Sequence, residues 1–337
     1  MATPDVTRPA ATGAAHDRAG LGQRQLPPTA APPAGGTGSK RRRRRSAAAP
    51  HWGLFLFPIP ALVIYTAFFA IPTIEGVEYA LTNWDGFSAE FQWTGLDNLT
   101  RVVSGDNLFR NALVNNVKFM LVVVIAQTAL ALLLAILLNR NSRSGIALRA
   151  LYFVPTILSS VSVAFVWKFM YDPSFGFLNS GLGLLGLDAL KSSFLGNDAS
   201  AIYWLAVAQI WAHAGQVMVI FVAGLQQIPS HLYEAAQIDG ANRWQQFRSV
   251  TWPGIAPATA VVVAYTTIQS FKAFDLVLGL GGNPPKPALD ILSTRIYAGF
   301  ANSEFGYAAA ESIVFMVVIA LITWLQRRML RATQASD

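Results

Sequence analysis

The sequence predicts an all-α membrane protein that crosses the lipid bilayer six times, with both termini in the cytoplasm. Of its 337 residues, 53% are hydrophobic and only 13% are charged, whereas soluble domains carry about 25% charged residues. Six separate blocks are long and apolar enough to cross a membrane, and the connections between them alternate between basic and acidic. A soluble enzyme of this composition would expose large apolar patches to water, which argues against that class.

Residues 1–50 differ in composition from the rest of the chain. They are rich in Pro, Gly, Ala and Thr, and their nine basic and two acidic residues account for the formal net charge of +7. Such a stretch buries too little apolar surface to offset the entropy of ordering, so we expect a disordered, basic cytoplasmic tail before a membrane domain at 51–337. The basic run at 40–45 should attract anionic lipid. Because the remaining residues balance in charge, we expect no nucleic-acid partner.

The six apolar blocks lie at 52–74, 119–138, 151–171, 203–228, 254–271 and 305–324. A helix rises about 1.5 Å per residue and needs about 20 apolar residues to cross the hydrocarbon core. The first block follows a basic run, as the apolar region of a secretory signal does. Its 23 uncharged residues exceed the usual length of that region in a cleavable signal, about 7–15 residues, so we expect it to remain as the first span.

The charges of the connections orient the spans, because Lys and Arg accumulate on the cytoplasmic side. The N-terminal tail, the connection between the second and third blocks, and the C-terminal end are basic. The connections after the first, third and fifth blocks carry more acidic than basic residues, and the connection at 229–253 is mixed. Both termini and the 229–253 connection therefore fall on the cytoplasmic side of the cell membrane.

The sequence lacks the residues of several catalytic classes. It has no cysteine, which excludes disulfides, thiolate metal sites and cysteine nucleophiles. No Lys follows a Gly, so the core of a phosphate-binding loop is missing, and neither His-Glu-x-x-His nor Gly-x-Ser-x-Gly occurs. A Gly-x-Gly-x-x-Gly pattern at 181–186 lies in a predicted external loop with no strand before it. We expect no cofactor, and an intramembrane enzyme is the least favoured interpretation.

The predicted cytoplasmic connection at 229–253 has signals for two short helices. Ser230 can cap a first helix, and Gly240 permits the positive-φ geometry that ends a helix. Asn242, with Gln245 three residues later, resembles a capping box that opens a second helix. The sequence therefore predicts a helix, a glycine corner and a second helix on the cytoplasmic face.

Small side chains on the first of these helices suit contact with another protein. Ala235 and Ala236 would let a partner's backbone approach closely, and Glu234 offers one directional charge. A capped connecting helix without a partner would show the same spacing. From spacing alone, the simple connecting helix is slightly favoured.

The residues of this connection also resemble a known signature. Glu-Ala-Ala-x-x-Asp-Gly-Ala, followed by Phe and Pro, is similar to the signature loop of permease subunits of binding-protein-dependent ABC importers, and the Asp-Gly-Ala version is most similar to the sugar-type branch. The matching positions are Glu234, Ala235, Ala236, Asp239, Gly240, Ala241, Phe247 and Pro253. The resemblance extends over about residues 111–328. It implies the six-helix, MetI-like core of a type-1 importer permease.

The resemblance also implies partners and a mechanism. The chain would form half of a translocation path beside a second, homologous permease, receive a carbohydrate from an external solute-binding protein, and couple to a dimer of cytoplasmic ABC ATPases. The segment at 234–241 would be the coupling helix, whose displacement alternates access to a central cavity. At 279–284 the chain departs from the family's Thr-x-Gly-Gly-Pro turn, so the choice between a sugar and a sugar-phosphate stays open.

Polar side chains inside the apolar blocks are candidates for the translocation path, because lipid penalises exposed polar groups. Amides and aromatic rings suit a sugar, which offers hydroxyls and an apolar ring face. The candidates are Gln127, Gln209, Trp211, His213, Gln216, Gln269, Lys272 and Glu311. Each could instead bond to a neighbouring helix or anchor at the membrane interface. His213 has no second metal ligand near it in the sequence, so we expect no metal site.

A self-sufficient secondary transporter or channel for a small polar solute is the alternative. Such a protein would favour internal repeats and discontinuous spans with paired charges near the middle of the membrane. The sequence shows no such repeat, and its charges cluster at the ends of the spans. The ATP-driven permease therefore remains the leading interpretation.

Overall fold

Helices form nearly all of the regular structure in the computed structural model, which describes residues 56–139 and 141–334, with side chains up to residue 329. Within these ranges the β pairing consists of an isolated bridge between Thr82 and Trp93. Residue contacts separate Met1–Phe57, of which two residues are described, from a second unit, Pro58–Asp337. The predicted tail at 1–50 lies outside the described residues.

Twelve main helices make up the described part of the second unit. In chain order they are α1 (Ile59–Tyr79), α2 (Asn107–Leu137), α3 (Arg143–Ile157), α4 (Ser160–Met170), α5 (Phe177–Leu184), α6 (Ala201–Gln226), α7 (Ser230–Ile238), α8 (Arg243–Gly254), α9 (Ala256–Phe271), α10 (Phe274–Gly281), α11 (Leu292–Ala301) and α12 (Phe305–Gln334). α1 and α8 each contain a π-helical turn, at Thr66–Ala70 and Phe247–Thr251. Shorter turns lie at Asp97–Thr100, Arg101–Gly105 and Asp188–Leu190.

Several of these helices are long and apolar enough to cross a membrane. Within the described ranges, α1, α2, α6 and α12 meet this condition alone. The pairs α3 with α4 and α8 with α9 meet it together, but they are bent by 99° and 65°. Length and composition therefore allow four to six crossings, and the fold agrees with a multi-span, all-α membrane protein.

The apolar block at 151–171 is two helices rather than the single helix that the sequence predicts. Pro155 lies in the last turn of α3, and a proline has no amide hydrogen with which to continue the helical ladder. Ser159 then caps α4, because its hydroxyl accepts a hydrogen bond from the amide of Ser162 at 3.1 Å. One helix ends and another begins within three residues, which produces the 99° bend.

α6 is the central helix of the second unit. In its most apolar window 67% of the residues are buried inside the protein, against 33% for α2 and none for α1. α2 packs along α6, and Leu205 and Phe221 of α6 are fully buried. α3 approaches α6 at Gly215, where a Cβ atom would meet the carbonyl oxygen of Tyr152. The α3–α6 contact therefore requires a residue without a side chain.

Gly215→Ala should destabilise the protein, although alanine is the better helix former. The added methyl group meets backbone atoms that cannot rotate away, and overpacking of this kind costs about 1–3 kcal/mol. We expect a lower thermal midpoint for the detergent-solubilised variant, measured by fluorescence-detected size exclusion after heating.

Gly76→Ala in α1 is the matched control, because a Cβ there would meet no atom within 4 Å. This variant should keep or raise the midpoint, since alanine gains up to about 1 kcal/mol over glycine in a helix. Equal midpoints for the two variants would contradict the close α3–α6 approach.

Candidate translocation cavity and coupling loop

Two helices carry matching stripes of polar side chains. The stripe on α6 is Gln209, His213 and Gln216, and the stripe on α9 is Tyr265 and Gln269, continued by Lys272 at the C-cap of the helix. Both have the spacing i, i+4, i+7, which places three side chains on one face of a helix. Polar residues in apolar helices are expensive unless they meet partners or water. The two stripes therefore mark the faces of α6 and α9 that share a polar environment.

A chain of hydrogen bonds connects three helices through these stripes. Gln127 Nε2 on α2 donates to Gln269 Oε1 at 3.4 Å, and Gln269 Nε2 donates to the Tyr265 hydroxyl at 3.3 Å. The Tyr265 hydroxyl in turn donates to Gln216 Oε1 on α6 at 3.0 Å. Tyr265 is thus the junction between α6 and α9, and its orientation depends on both neighbours.

A cavity of about 270 Å³ opens beside this chain. Its polar lining is Ser160, Gln209, His213, Tyr265, Gln269 and Lys272. Ser160 and Phe274, which also lines the cavity, are the first residues of α4 and α10. The amide groups at the start of a helix lack partners within the helix. The cavity therefore lies where helices are interrupted and is lined by polar side chains, whereas the Phe274 amide already donates to the Lys272 carbonyl oxygen at 2.8 Å.

Two lining residues on α6 have polar groups available to a solute. Gln209 is only 3% exposed. Its side-chain amide has no hydrogen-bond partner among the described residues. His213 Nδ1 lies 3.1 Å from the Gln209 carbonyl oxygen, which selects the tautomer with hydrogen on Nδ1 and leaves Nε2 as an acceptor. Together they supply amide and imidazole groups to the cavity.

The lining suits a neutral, polyhydroxylated molecule. Amide, hydroxyl and imidazole groups both donate and accept hydrogen bonds, as a sugar hydroxyl does. Phe274 offers an aromatic surface for an apolar ring face. Lys272 is the charged member of this lining and is itself exposed.

Of the candidates from the sequence, Trp211 lies away from this cavity. It lines a separate apolar cavity of about 440 Å³ with residues of α2 and α3, including Leu134 and Tyr152. Its ring meets Trp167 edge-on, with centroids 5.8 Å apart. Trp211 is on α6 but faces away from the polar stripe.

Glu311 also lies elsewhere, in a cluster of charges that joins α11, α12 and the start of α2. It is fully buried, with Oε1 3.4 Å from Arg295 Nε. Arg295 Nη2 is 3.7 Å from Asp106 Oδ2, which also accepts a 2.6 Å hydrogen bond from the Tyr307 hydroxyl. Asp106 caps α2 by accepting from two backbone amides. The contacts of Glu311 are those of a structural ion cluster.

Asp106 stays ionised in this cluster. Burial raises its pKa, but the hydrogen bond from the Tyr307 hydroxyl, the two backbone amides and the Arg295 charge together hold the pKa below its usual value. A charged Asp106 stabilises both the N-terminus of α2 and the Arg295 guanidinium. The role of Glu311 and Trp211 in a translocation path stays a prediction, and neither lines this cavity. Gln127 and Gln216 do not line it either, but hydrogen bonds join them to Gln269 and Tyr265.

Sequence reasoning missed Tyr265, Ser160 and Phe274. Tyr265 could have been found from spacing, because it precedes Gln269 by four residues on the same helix face. Ser160 and Phe274 could not, since they reach the cavity only through the interruptions between α3 and α4 and between α9 and α10.

The connection at 229–253 has the predicted helix, corner and helix. α7 ends before Gly240, whose φ is +75°. Asn242 Oδ1 accepts from the Gln245 amide at 3.0 Å, while Gln245 Oε1 accepts from the Asn242 amide at 2.8 Å, so the capping box is complete. A Cβ at Gly240 would meet no atom within 4 Å. The glycine is therefore needed for its backbone angle and not for space.

Two details of this connection differ from expectation. Ser230 does not cap α7: Pro229 occupies the N-cap position, and no side chain accepts a bond there. Pro253 is followed by two more residues before the 65° bend, and α9 begins at Ala256. Proline tolerates the first turn of a helix, so it lies inside a short turn instead of at the break.

α7 is attached along one side and exposed on the other. The Tyr233 hydroxyl lies 3.0 Å from the Thr251 hydroxyl, which holds α7 against α8. On the free side, Glu234 and Ala235 are exposed, and Ile238 is 87% exposed. This side of α7 is therefore open to contact with another molecule.

The remaining positions of the signature support the corner. Gln246 Nε2 donates to the Ala241 carbonyl oxygen at 2.8 Å, and the Phe247 ring stacks on Trp244 with centroids 5.4 Å apart. Asp239 is exposed at the end of α7, and Ala236 is half-buried. The result is a helix, a capped glycine corner and a second helix that leads into α9.

Comparison with known proteins identifies the family. Residues 127–334 match the family described as "Binding-protein-dependent transport system inner membrane component". A probable ABC transporter permease protein of Pyrococcus horikoshii is 34% identical over 80% of this chain and 92% of its own. The multiple sugar-binding transport system permease protein MsmF of Streptococcus mutans is 28% identical over 82% and 94%. The diacetylchitobiose uptake system permease protein NgcF of Streptomyces coelicolor is 31% identical over 80% of each chain.

Solved structures share the fold. A chain in a crystal structure of a bacterial ABC transporter involved in the import of the acidic polysaccharide alginate aligns with a TM-score of 0.72 and 25% identity, over 83% of this chain and 96% of that one. A second structure, of a bacterial alginate ABC transporter in complex with an alginate pentasaccharide-bound periplasmic protein, gives a TM-score of 0.72, 25% identity, and coverage of 84% and 95%.

The family is one of membrane transport components and not of enzymes. The matched segment covers more than half of the chain and includes the two polar stripes, most of the charge cluster and the connection at 229–253. On these grounds the chain belongs to the family of binding-protein-dependent transport system inner membrane components.

Proposed function

We propose that this chain is a membrane-spanning subunit of an ATP-driven importer and forms half of the translocation path for a carbohydrate. The observation that carries the proposal is α7, an anchored and exposed helix with a glycine corner, in a transport chain without a phosphate-binding loop. Relatives named for sugars, and a related transporter seen with a sugar-loaded periplasmic protein, support a solute-binding protein as the donor.

The proposed partner of α7 is a cytoplasmic ABC ATPase, present as a dimer that a second, homologous permease also contacts. Glu234, Ala235 and Ile238 would enter a cleft of the ATPase, since the small alanine allows close approach and the isoleucine would be buried. Displacement of α7 would pass to α8 through the Tyr233–Thr251 contact. Gly240 and the capping box keep the corner rigid during that displacement.

The proposed topology counts each bent pair as one crossing. Six spans then place both termini, the 1–50 tail and the 229–253 loop in the cytoplasm, within a membrane domain at 51–337. The positive-inside rule supports this orientation, because Arg143 and Arg149 lie in the N-terminal half of α3 while Asp172, Asp188 and Asp198 follow α4.

The proposed solute site is the cavity between the two polar stripes. Its groups would hold sugar hydroxyls by hydrogen bonds, and α9 would move them when α8 is displaced. The candidates that share this environment are Gln127, Gln209, His213, Gln216, Gln269 and Lys272, to which we add Tyr265.

Gly240→Trp should abolish import while the protein still inserts. A non-glycine residue at positive φ costs about 1–2 kcal/mol, and the indole would block the ATPase contact, so uptake should fall by at least about tenfold. The measurement is ATP-driven uptake into vesicles that hold the permease pair and the ATPase, with the loaded binding protein outside.

Gly95→Trp is the control, because Gly95 also has positive φ, 60°, and a Cβ there meets no atom within 4 Å. It should import normally. Normal uptake by Gly240→Trp would remove the coupling role of α7. Uptake by the chain alone on an ion gradient would favour a secondary transporter instead.

Single cysteines should report the orientation, since the chain has none of its own. A membrane-impermeant maleimide should label Glu90→Cys in intact cells, and Arg143→Cys only after permeabilisation. Both side chains are exposed, so access depends on the side of the membrane. The reverse labelling pattern would overturn the proposed topology.

Tyr265→Phe should raise the KM for uptake with little change in the amount of folded protein. The variant breaks the bonds with Gln216 and Gln269, each worth about 0.5–1.5 kcal/mol, so KM should rise about threefold to tenfold. Tyr203→Phe, an exposed position on α6, should leave KM unchanged. Equal effects of the two variants would place the solute elsewhere.

A further inference from the structure

The connection after α4 carries an apolar surface that the import mechanism does not use. Residues 173–187 contain no charged side chain. Within this stretch Leu184 is 90% exposed and Leu185 is 74% exposed. The α5 apolar surface, as we name it, consists of Phe175, Phe177, Leu184, Leu185, Leu187 and Leu190. In water, a contiguous patch of this kind marks a site of contact with lipid or protein.

The surface is held in place by the opposite side of α5. Leu178 and Leu182 pack against the buried core. Asn179 Nδ2 donates to the Ser192 carbonyl oxygen at 3.1 Å, and Asn179 Oδ1 accepts from the Ser192 amide at 3.2 Å. The exposed leucines therefore lie on a fixed element and not on a loose loop.

The backbone of this segment satisfies its own hydrogen bonds at the end of α5. The amides of Leu185, Gly186 and Leu187 donate to carbonyl oxygens of residues 181–183, at 3.1, 3.1 and 2.8 Å. Between residues 173 and 191, all of which are described, no buried polar side-chain atom lacks a partner. At this end of α5 the paired amides lower the cost of contact with the headgroup region.

The surface continues an exposed apolar stripe of α4. Val161, Phe165 and Phe169 are exposed at spacing i, i+4, i+8 on this helix of a bent span. The Phe169 ring contacts the Phe175 ring, with centroids 5.4 Å apart. Lys168 is exposed at the same end of α4, where a long cationic side chain reaches headgroup phosphates.

We propose that the α5 apolar surface is an interfacial anchor, seated in the headgroup boundary of the outer leaflet. The anchor holds the end of α4 at a fixed depth, and α4 begins at the solute cavity. Lipid fits better than a protein partner because the leucine part of the surface lacks the Tyr, Trp and Arg anchors typical of protein interfaces. The exposed Asp188–Lys191 ion pair, at 2.5 Å, follows the uncharged stretch and marks its polar boundary. The outer location rests on the proposed six-span topology.

Nitroxide labels on single cysteines test this placement in the assembled importer. Leu184→Cys and Leu185→Cys are labelled in vesicles of phosphatidylethanolamine and phosphatidylglycerol, and collision rates with oxygen and with a neutral nickel chelate are measured. Oxygen concentrates in lipid and the chelate in water. The ratio of oxygen to chelate collisions should be several-fold higher at both positions than at Ala199→Cys, an exposed residue of the same connection.

Other results would overturn the proposal. A ratio equal to that of Ala199→Cys would place the surface in water, and an immobile label shielded from both reagents would place it under a protein partner. Labelling of Ala199→Cys by an impermeant maleimide in sealed vesicles tests the six-span orientation separately from the lipid contact. Labelling from the cytoplasmic side alone would reverse the orientation while leaving the lipid contact intact. Phe177→Cys, labelled in the same way, provides an independent position.

Discussion

The structure depends on one constraint: a backbone or side-chain polar group inside a membrane needs a partner, because lipid offers none. α3 and α9 stop partway, and the groups that this frees are met by caps such as Ser159 or by the cavity. The polar stripes of α6 and α9 face that same place. The proposed solute site therefore lies where the helical ladder is interrupted, beside the polar stripes.

α9, which lines the proposed solute site, is continuous with the proposed coupling loop through α8. From Arg243 to Phe271 the chain is helical, with a single 65° bend between α8 and α9. Tyr233 and Phe247 brace the end at the 229–253 connection, whereas Tyr265 and Gln269 lie at the cavity end. A displacement at α7 thus has a short, stiff route to the hydrogen bonds that would hold a sugar. Packed helices transmit such shifts because they move as units and do not deform gradually.

Sequence reasoning anticipated the features that local chemistry determines. Gly240 and the Asn242–Gln245 box were predictable because a positive φ and a capping pair leave residue-level signals. The α3–α4 interruption is also local, yet it was missed, because Pro155 alone does not tell a kinked helix from a broken one. The pairing of Glu311 with Arg295 could not be predicted from the sequence. Such pairs depend on which helices become neighbours, and in a chain of apolar blocks the hydrophobic pattern does not specify that.

Helix neighbours in this fold are specified by polar contacts more than by apolar burial. Lipid tails are as apolar as leucine. Exposing an apolar face such as that of α1 to lipid therefore costs little free energy, and the hydrophobic effect does not drive that face into the core. Polar groups discriminate far more strongly. Asn115 Nδ2 on α2 donates to the carbonyl oxygens of Pro287 and Asp290, at 2.8 and 3.0 Å. These bonds and the Arg295 cluster join segments that lie far apart in the chain. They constrain which helices lie beside one another, because a different helix order would leave the Asn115 amide without these partners.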